Sequence, residues 1–247
     1  MNLSRLFVLV GFFLLACDDL PKEEAKKKIK DGVVKQYYAN KVLKTEIEYK
    51  DGKRNGTAKN YYKDGKLHQQ IEYANGKKNG EAITYYENGK VYQITPYEND
   101  LIHGLRKKYR QNGKLMAEVP YNYDRPCRGL KEFLLDGSLK KQYPKLTVQP
   151  IDNVLKNGTY ILRIKSSDGT SRIKFFVNTK LGVNGCLEGS EPSTSLTEPG
   201  VLEVKFNLPE NTFIMEELHF VAEITTTLGN PYITHTKHNL AIENRGF

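Results

Sequence analysis

Four sets of residues in this 247-residue chain have types that could do chemistry. His235 and His238 stand three apart, a spacing that holds metal on a helix. Here they read as the end of a strand and a following loop, with no cysteine or carboxylate set nearby. Glu216 and Glu217 are paired carboxylates in sequence. Adjacent residues of a strand point to opposite faces, so they make no acid/base pair. Cys127 and Cys186 could form a disulfide, which needs Cα atoms within about 7 Å. The alternative is two unpaired, partly buried thiols. Cys17 ends an apolar run and offers a thiol that could be modified. No Gly-Lys-Ser/Thr phosphate loop, Gly-x-Ser-x-Gly elbow or His-Glu-x-x-His motif occurs. An enzyme acting on envelope glycans through Tyr-rich faces would lack an identifiable acid/base pair. The expectation is therefore no catalytic residue, no metal and no cofactor.

The N-terminus reads as an address. Met1 to Arg5 is short and positive, and Leu6 to Ala16 is apolar, broken only by Gly11. A positive start followed by 7–15 apolar residues is a secretory signal, too short to cross a bilayer as a helix. Its end, Leu14-Leu15-Ala16-Cys17, resembles a bacterial lipobox. That resemblance implies cleavage after residue 16, lipidation of Cys17, and a membrane partner through the attached chains. Residues 17–30 are a charged tether. The implied location is the bacterial cell envelope, with the membrane and leaflet left open. Export also removes the chain from nucleic acid, so no nucleic-acid partner is expected.

Composition agrees with an exported β-protein. The chain has 38 Lys+Arg, 29 Asp+Glu and a net charge of +9. The excess lies in residues 18–145, whereas 146–247 are close to neutral. Sixteen Tyr, ten Phe, no Trp and twenty Gly favour β architecture over disorder. Three Cys are too few for a disulfide scaffold.

The elements that must position these groups follow a repeat of 24 residues. Gly32, Gly56, Gly80 and Gly104 keep that step. So do Tyr37, Tyr61, Tyr85, Tyr109 and Phe133, and so do Gly65, Gly89, Gly113 and Gly137. Leu43, Leu67, Val91, Leu115 and Leu139 form a fourth column, and Tyr49, Tyr73, Tyr97 and Tyr121 a fifth. About five units fill residues 31–143. The first has Lys41 where the others have a turn glycine, and the last moves its opening glycine to Gly129. Asp64-Gly65, Asn88-Gly89 and Asn112-Gly113 read as tight hairpin turns with both residues at positive φ. Asp51 to Gly56 and Asn75 to Gly80 read as longer turns joining hairpins. Alternation places Leu67, Gln69, Ile71 and Tyr73 on one face and His68, Gln70 and Glu72 on the other. The tyrosines then either form a packed ladder between units or an exposed gripping surface. Tyr61, Tyr62, Tyr85, Tyr86 and Tyr109 are the candidates for that surface.

The run Tyr61-Tyr62-Lys63-Asp64-Gly65-Lys66-Leu67, with Tyr73-Ala74-Asn75-Gly76-Lys77-Lys78-Asn79-Gly80, resembles the MORN-repeat variant family. Tyr85-Tyr86-Glu87-Asn88-Gly89-Lys90-Val91 repeats the match. Bacterial chains of this kind are often labelled YwqK-family antitoxins. The resemblance implies an elongated single-layer antiparallel sheet of stacked β-hairpins. It also offers an antitoxin or immunity role against an envelope-acting toxin, beside the main expectation of a non-enzymatic protein-binding or scaffold module.

Past Tyr143-Pro144 the 24-residue phase disappears. Residues 144–247 read as a β-sandwich-like domain of six or seven strands. Residues 159–165 read as a strand, 166–170 as a turn and 171–177 as its return. Further strands are expected at 201–207, 219–227, 232–235 and 239–243, with 187–199 a polar loop.

Overall fold

The structure, a computed structural model, describes residues 31–189, 191–193 and 196–246. The signal segment 1–16, the lipidation residue Cys17 and the tether 17–30 lie outside the described residues. The chain is all-β. Its first part is one antiparallel sheet of twelve strands. These are β1 (Gly32–Tyr37), β2 (Leu43–Lys50), β3 (Lys53–Arg54), β4 (Gly56–Tyr61), β5 (Leu67–Ala74) and β6 (Lys77–Tyr85). They continue as β7 (Val91–Glu98), β8 (Leu101–Ile102), β9 (Gly104–Tyr109), β10 (Leu115–Asn122), β11 (Arg125–Pro126) and β12 (Lys131–Glu132). The long strands follow one another in chain order, so the sheet grows hairpin by hairpin.

The turns exchange the roles that the sequence suggested. At Asp51-Gly52, φ is 51° and 70°; at Asn75-Gly76 it is 52° and 89°. Asn99-Asp100 and Tyr123-Asp124 share this pair of positive values. These are the two-residue turns whose twist suits a hairpin, and they join one unit to the next. Within a unit the loop is longer. Gly65 N–H donates to Tyr62 O (3.0 Å), and Tyr62 N–H donates to Lys66 O (2.8 Å). Only Gly65 has positive φ there, and Asp64 instead accepts from Lys66 N–H (3.0 Å). This is a type I turn closed by a glycine bulge.

The glycine of that bulge is what the backbone demands. Gly89 has φ 80°, and a Cβ there would meet nothing within 4 Å. Its replacement cost is therefore conformational alone. Gly89→Val is expected to lose about 1–2 kcal/mol. Lys41, at φ 61° in the same column, already bears that strain. Lys41→Gly is expected to move stability the opposite way by a comparable amount. Urea unfolding of residues 18–247 checks both, and a change of one sign in the two variants would refute the turn assignment.

Among the described residues the second part has seven strands and a single helical turn. One sheet runs β13 (Leu146–Asn153), β14 (Thr159–Ser166), β17 (Val201–Asn207), β16 (Leu196–Glu198) in spatial order. The other runs β15 (Ile173–Val177), β18 (Thr212–Thr225), β19 (Pro231–Asn244). The turn α1 (Val154–Asn157) links β13 to β14. Leu162, Ile164 and Leu202 of the first sheet pack against Phe175, Leu218, Phe220, Ile224 and Leu240 of the second. Two sheets closing one apolar core make a sandwich.

Three details differ from the sequence reading. Residues 171–177 do not return beside β14. β15 crosses to the other sheet and pairs with β18, because both of its faces enter apolar clusters, Phe175 on one side and Phe176 on the other. The segments 232–235 and 239–243 are one strand, β19, paired with β18 from Thr212↔Asn244 to Thr225↔Pro231. β13 and β16 occupy segments that the sequence reading left without strands.

Candidate interaction surface

The two faces of the repeat sheet differ. Gln36, Thr45, Asn60, Gln69, Thr84, Gln93, Lys108, Ala117 and Glu132 line up across the strands on one face. Beside them run Ala58, Ile71 and Ala82, with Thr95 next in line. Ala58, Ile71, Ala82, Thr95, Lys108, Ala117, Val119 and Glu132 are all buried. A small residue opposite a large one, as in Ala58↔Ile71↔Ala82, lets one layer close over itself. The column Tyr73, Tyr97 and Tyr121 walls this row. Each ring carries a cation above it: Arg54 (5.3 Å), Lys78 (4.7 Å) and Arg106 (4.7 Å). Burial, with Arg106 alongside, holds the Lys108 ammonium pKa below its ordinary value.

The opposite face has no buried side chain in β1 to β10. Its middle row reads Lys35, Glu46, Lys59, Gln70, Ile83, Ile94, Lys107, Glu118 and Lys131. Ile83 and Ile94 are direct cross-strand partners and half-exposed. Lys35 pairs with Glu46 (3.4 Å) and Lys131 with Glu118 (3.5 Å). Lys59 and Lys107 make no ion pair among the described residues. An apolar pair thus lies between two uncommitted cations. Four strand spacings separate those cations, about 19 Å at the usual interval.

The tyrosines proposed as a gripping surface divide between the two roles. Tyr62 donates its hydroxyl to Tyr85 O, and Tyr86 donates to Tyr109 O, each at 2.7 Å. Tyr38 does the same to Tyr61 O, and Arg110 replaces the phenol in the next unit, donating to Phe133 O (2.7 Å). The second residue of each pair therefore bolts its unit to the following one. Tyr61, Tyr85 and Tyr109 supply the backbone carbonyls of this ladder. Burial raises the hydroxyl pKa of Tyr62 and Tyr86. The Tyr62 ring still rests on His68, and Tyr86 meets Tyr92 edge-on. His68 and Tyr92 lie on the open face, two residues from Gln70 and Ile94 along their strands. Residues 59, 83, 107 and 131 share one column, and 46, 70, 94 and 118 another. Isoleucine replaces a charged or amide residue once in each, a signal the sequence reading passed over.

The sandwich covers the other face at the last unit. Ala117 and Val119 there are 0% exposed. Cys127 and Cys186 are joined by a disulfide, and Arg128 N–H donates to Gly185 O (2.9 Å). Glu132, also fully buried, accepts from Thr226 Oγ1 (2.6 Å) and Asn230 Nδ2 (2.9 Å) in the β18–β19 turn. Tyr143 stacks on Tyr232 with ring centroids 4.6 Å apart. The repeat sheet is held to the sandwich at this junction, on the face opposite the open one.

The residues paired in sequence are not brought together, although Glu217, His219, His235, Lys237 and Arg128 line one open pocket. His235 and His238 lie on one strand, three apart, and so face opposite ways. His219 Nε2 approaches Glu217 Oε1 (2.9 Å), and Glu217 also holds Lys237 (3.1 Å). Glu216 points away from Glu217 along β18. No group of three metal-ligating side chains occurs among the described residues.

Fold and surface together define an all-β hairpin-repeat protein. The chain carries four MORN repeat variants, matched over residues 30–51, 54–75, 78–99 and 102–123. The fifth unit, which passes under the sandwich, lies beyond the matched residues. Repeats of this kind point to a protein-binding or membrane-associated module, and the fold is typically non-catalytic. No curated protein matches the chain.

Proposed function

We propose that this chain is a non-enzymatic cell-envelope lipoprotein, anchored through Cys17, that presents its repeat sheet as a protein-binding scaffold. The observation that carries this reading is the asymmetry of the sheet. One face buries its own row, whereas the other leaves Ile83 and Ile94 half-exposed between Lys59 and Lys107. A central apolar pair within a polar rim is the anatomy of a binding hot spot. The fitting partner offers an apolar patch flanked by carboxylates. An immunity role would be the same act with a toxin as the occupant.

The test is a pull-down of residues 18–247 from envelope extract, run beside Ile83→Asp and Ile94→Asp. Both variants should fold and lose a partner that the parent retains, with affinity falling at least about tenfold for a hot-spot residue. Equal recovery by parent and variants would place binding elsewhere. Anchoring is checked separately. Cys17→Ser should abolish incorporation of a clickable fatty acid and leave the product out of the membrane pellet. Undiminished label would refute the anchor.

A further inference from the structure

The repeat sheet has one open end among the described residues. At the other end β10 is closed by β11 and β12, and the sandwich follows. Each opening strand within the sheet has neighbours on both sides. β4 lies between β2 and β5, β6 between β5 and β7, and β9 between β7 and β10. Among the described residues β1 pairs only with β2. All six of its residues are exposed, with Val33 at 56%, Val34 at 38% and Tyr37 at 59%.

The repeat phase shows what this edge is shaped to receive. Val34, Lys35 and Gln36 occupy the columns of Ala82, Ile83 and Thr84, which take Ile71, Gln70 and Gln69 of the preceding unit. In the same columns Lys59 and Asn60 take Glu46 and Thr45, and Lys107 and Lys108 take Ile94 and Gln93. Native edges are commonly blunted by charged side chains, lysine above all, by proline or by bulges, and β1 carries two of these, Lys35 and the register shift between Gln36 and Tyr37. From Gly32 to Gln36 the strand keeps a continuous register with β2 and holds no proline. Its single charge, Lys35, is already drawn to Glu46 on the inner side (3.4 Å).

We infer that β1 is a strand-acceptor edge, which takes an extended segment of a partner protein with an acidic residue opposite Lys35 and a β-branched or aliphatic residue opposite Val34. Main-chain hydrogen bonds to the edge would supply affinity and the alternating side chains register. The pattern Thr45-Glu46-Ile47, which already faces Gln36, Lys35 and Val34 from the inner side, is the template. The inference extends the protein-binding reading above. It adds a second mode of contact, at the edge and separate from the Ile83–Ile94 face.

A labelled peptide with the sequence of residues 43–50 is the probe, added to residues 18–247. It should bind and should slow amide exchange within residues 33–37. Lys35→Glu should weaken binding about threefold or more, as for a cross-strand charge pair made repulsive. A peptide carrying lysine at its Glu46 position should recover the loss on that variant. N-methylation of alternate peptide amides in one phase should abolish binding and in the other leave it intact, because an added strand bonds on one side only. Absence of binding, equal sensitivity in both phases, or no change in β1 exchange would overturn the inference. Binding that appears only once residues 18–30 are removed would also overturn it, by assigning the edge to the chain's own leading segment. The Ile83→Asp and Ile94→Asp pull-down reads the other face, so failure here leaves that reading standing.

Discussion

Replacing both Cys127 and Cys186 with serine is expected to destabilise the folded junction by about 4 kcal/mol. The bond closes a sequence separation of 59 residues. In the chain-entropy description, a loop of that length restricts the unfolded chain by roughly 4 kcal/mol at room temperature. The two half-cystines also sit 4% and 1% exposed, so the serines would be buried without the covalent link. Around them Leu181 bridges Leu187, and Gly182 N–H donates to Cys186 O (3.0 Å). The disulfide thus pins the segment 178–189 over Phe176, Val221 and Ile233, the smaller apolar cluster of the sandwich. Urea unfolding of residues 18–247, with and without reductant, measures the effect. The parent under reductant should resemble the double serine variant, and that variant should ignore reductant. A double variant within 1 kcal/mol of the parent would mean that the bond adds little to a junction already held by its other contacts.

What the sequence made legible depends on how local the responsible physics is. The glycine at 65, 89 and 113 is demanded by one backbone angle within its own turn, and its 24-residue recurrence carried the hairpins, their order and their faces. Ile71 and Glu72 fall on opposite sides as alternation requires, one buried and one exposed. The turn types were misread because Asp-Gly and Asn-Gly fit two geometries. Which one forms is set by the flanking pairs: Tyr62 N–H reaches Lys66 O, so the loop closes one residue later than a two-residue turn. Glu72 holds a contact that no pattern displays, since its carboxylate accepts from Glu81 N–H (3.2 Å) across the unit boundary.

Longer-range pairing was less visible. The turn at 166–170 forms as its residues dictate, with Gly169 N–H donating to Ser166 O (3.0 Å). The strand after it is nevertheless claimed by the second sheet, because Phe175 and Phe176 each need a different apolar cluster. Residues 212–218 carried no clean alternation, with Phe213 and Met215 exposed and Glu216 and Glu217 adjacent. They are strand because β19 runs beside them for their full length. Of the proposed tyrosine surface, composition gave the positions but not the hydroxyl's destination. Only the stacking of one unit on the next brings Tyr62 to a carbonyl 23 residues ahead. Ile83 and Ile94 form a pair because neighbouring hairpin strands oppose them, and single columns do not reveal that.

The junction's carboxylate is where sequence and structure are furthest apart, and Glu132→Ala is expected to cost about 3–5 kcal/mol. Glu132 shares a column with Gln36, Asn60, Thr84 and Lys108, all polar, so nothing marks it as interior. In the structure its side chain is 0% exposed. Oε1 accepts from Thr226 Oγ1 (2.6 Å) and Asn230 Nδ2 (2.9 Å), and Oε2 accepts from Lys140 Nζ (3.0 Å). Its own N–H donates to Tyr143 Oη (2.9 Å). One residue thereby ties β12, the segment after it, and the β18–β19 turn. Alanine would strand the buried Asn230 amide and Thr226 hydroxyl, each unmet group costing about 1–3 kcal/mol, and would lose the pair with Lys140. Glu132→Gln keeps an acceptor and the volume but loses the charge, so its loss should be smaller. Lys140 is 30% exposed and can turn to water once Glu132 is gone, whereas Lys140→Ala leaves the buried carboxylate without its cation and should itself cost several kcal/mol. Once Glu132 is alanine, Lys140→Ala should add little, because the two act as a pair. Urea melts of the four variants give the cycle. A Glu132→Ala protein within 1 kcal/mol of the parent, or full additivity with Lys140→Ala, would show that the carboxylate is not what holds the repeat sheet to the sandwich.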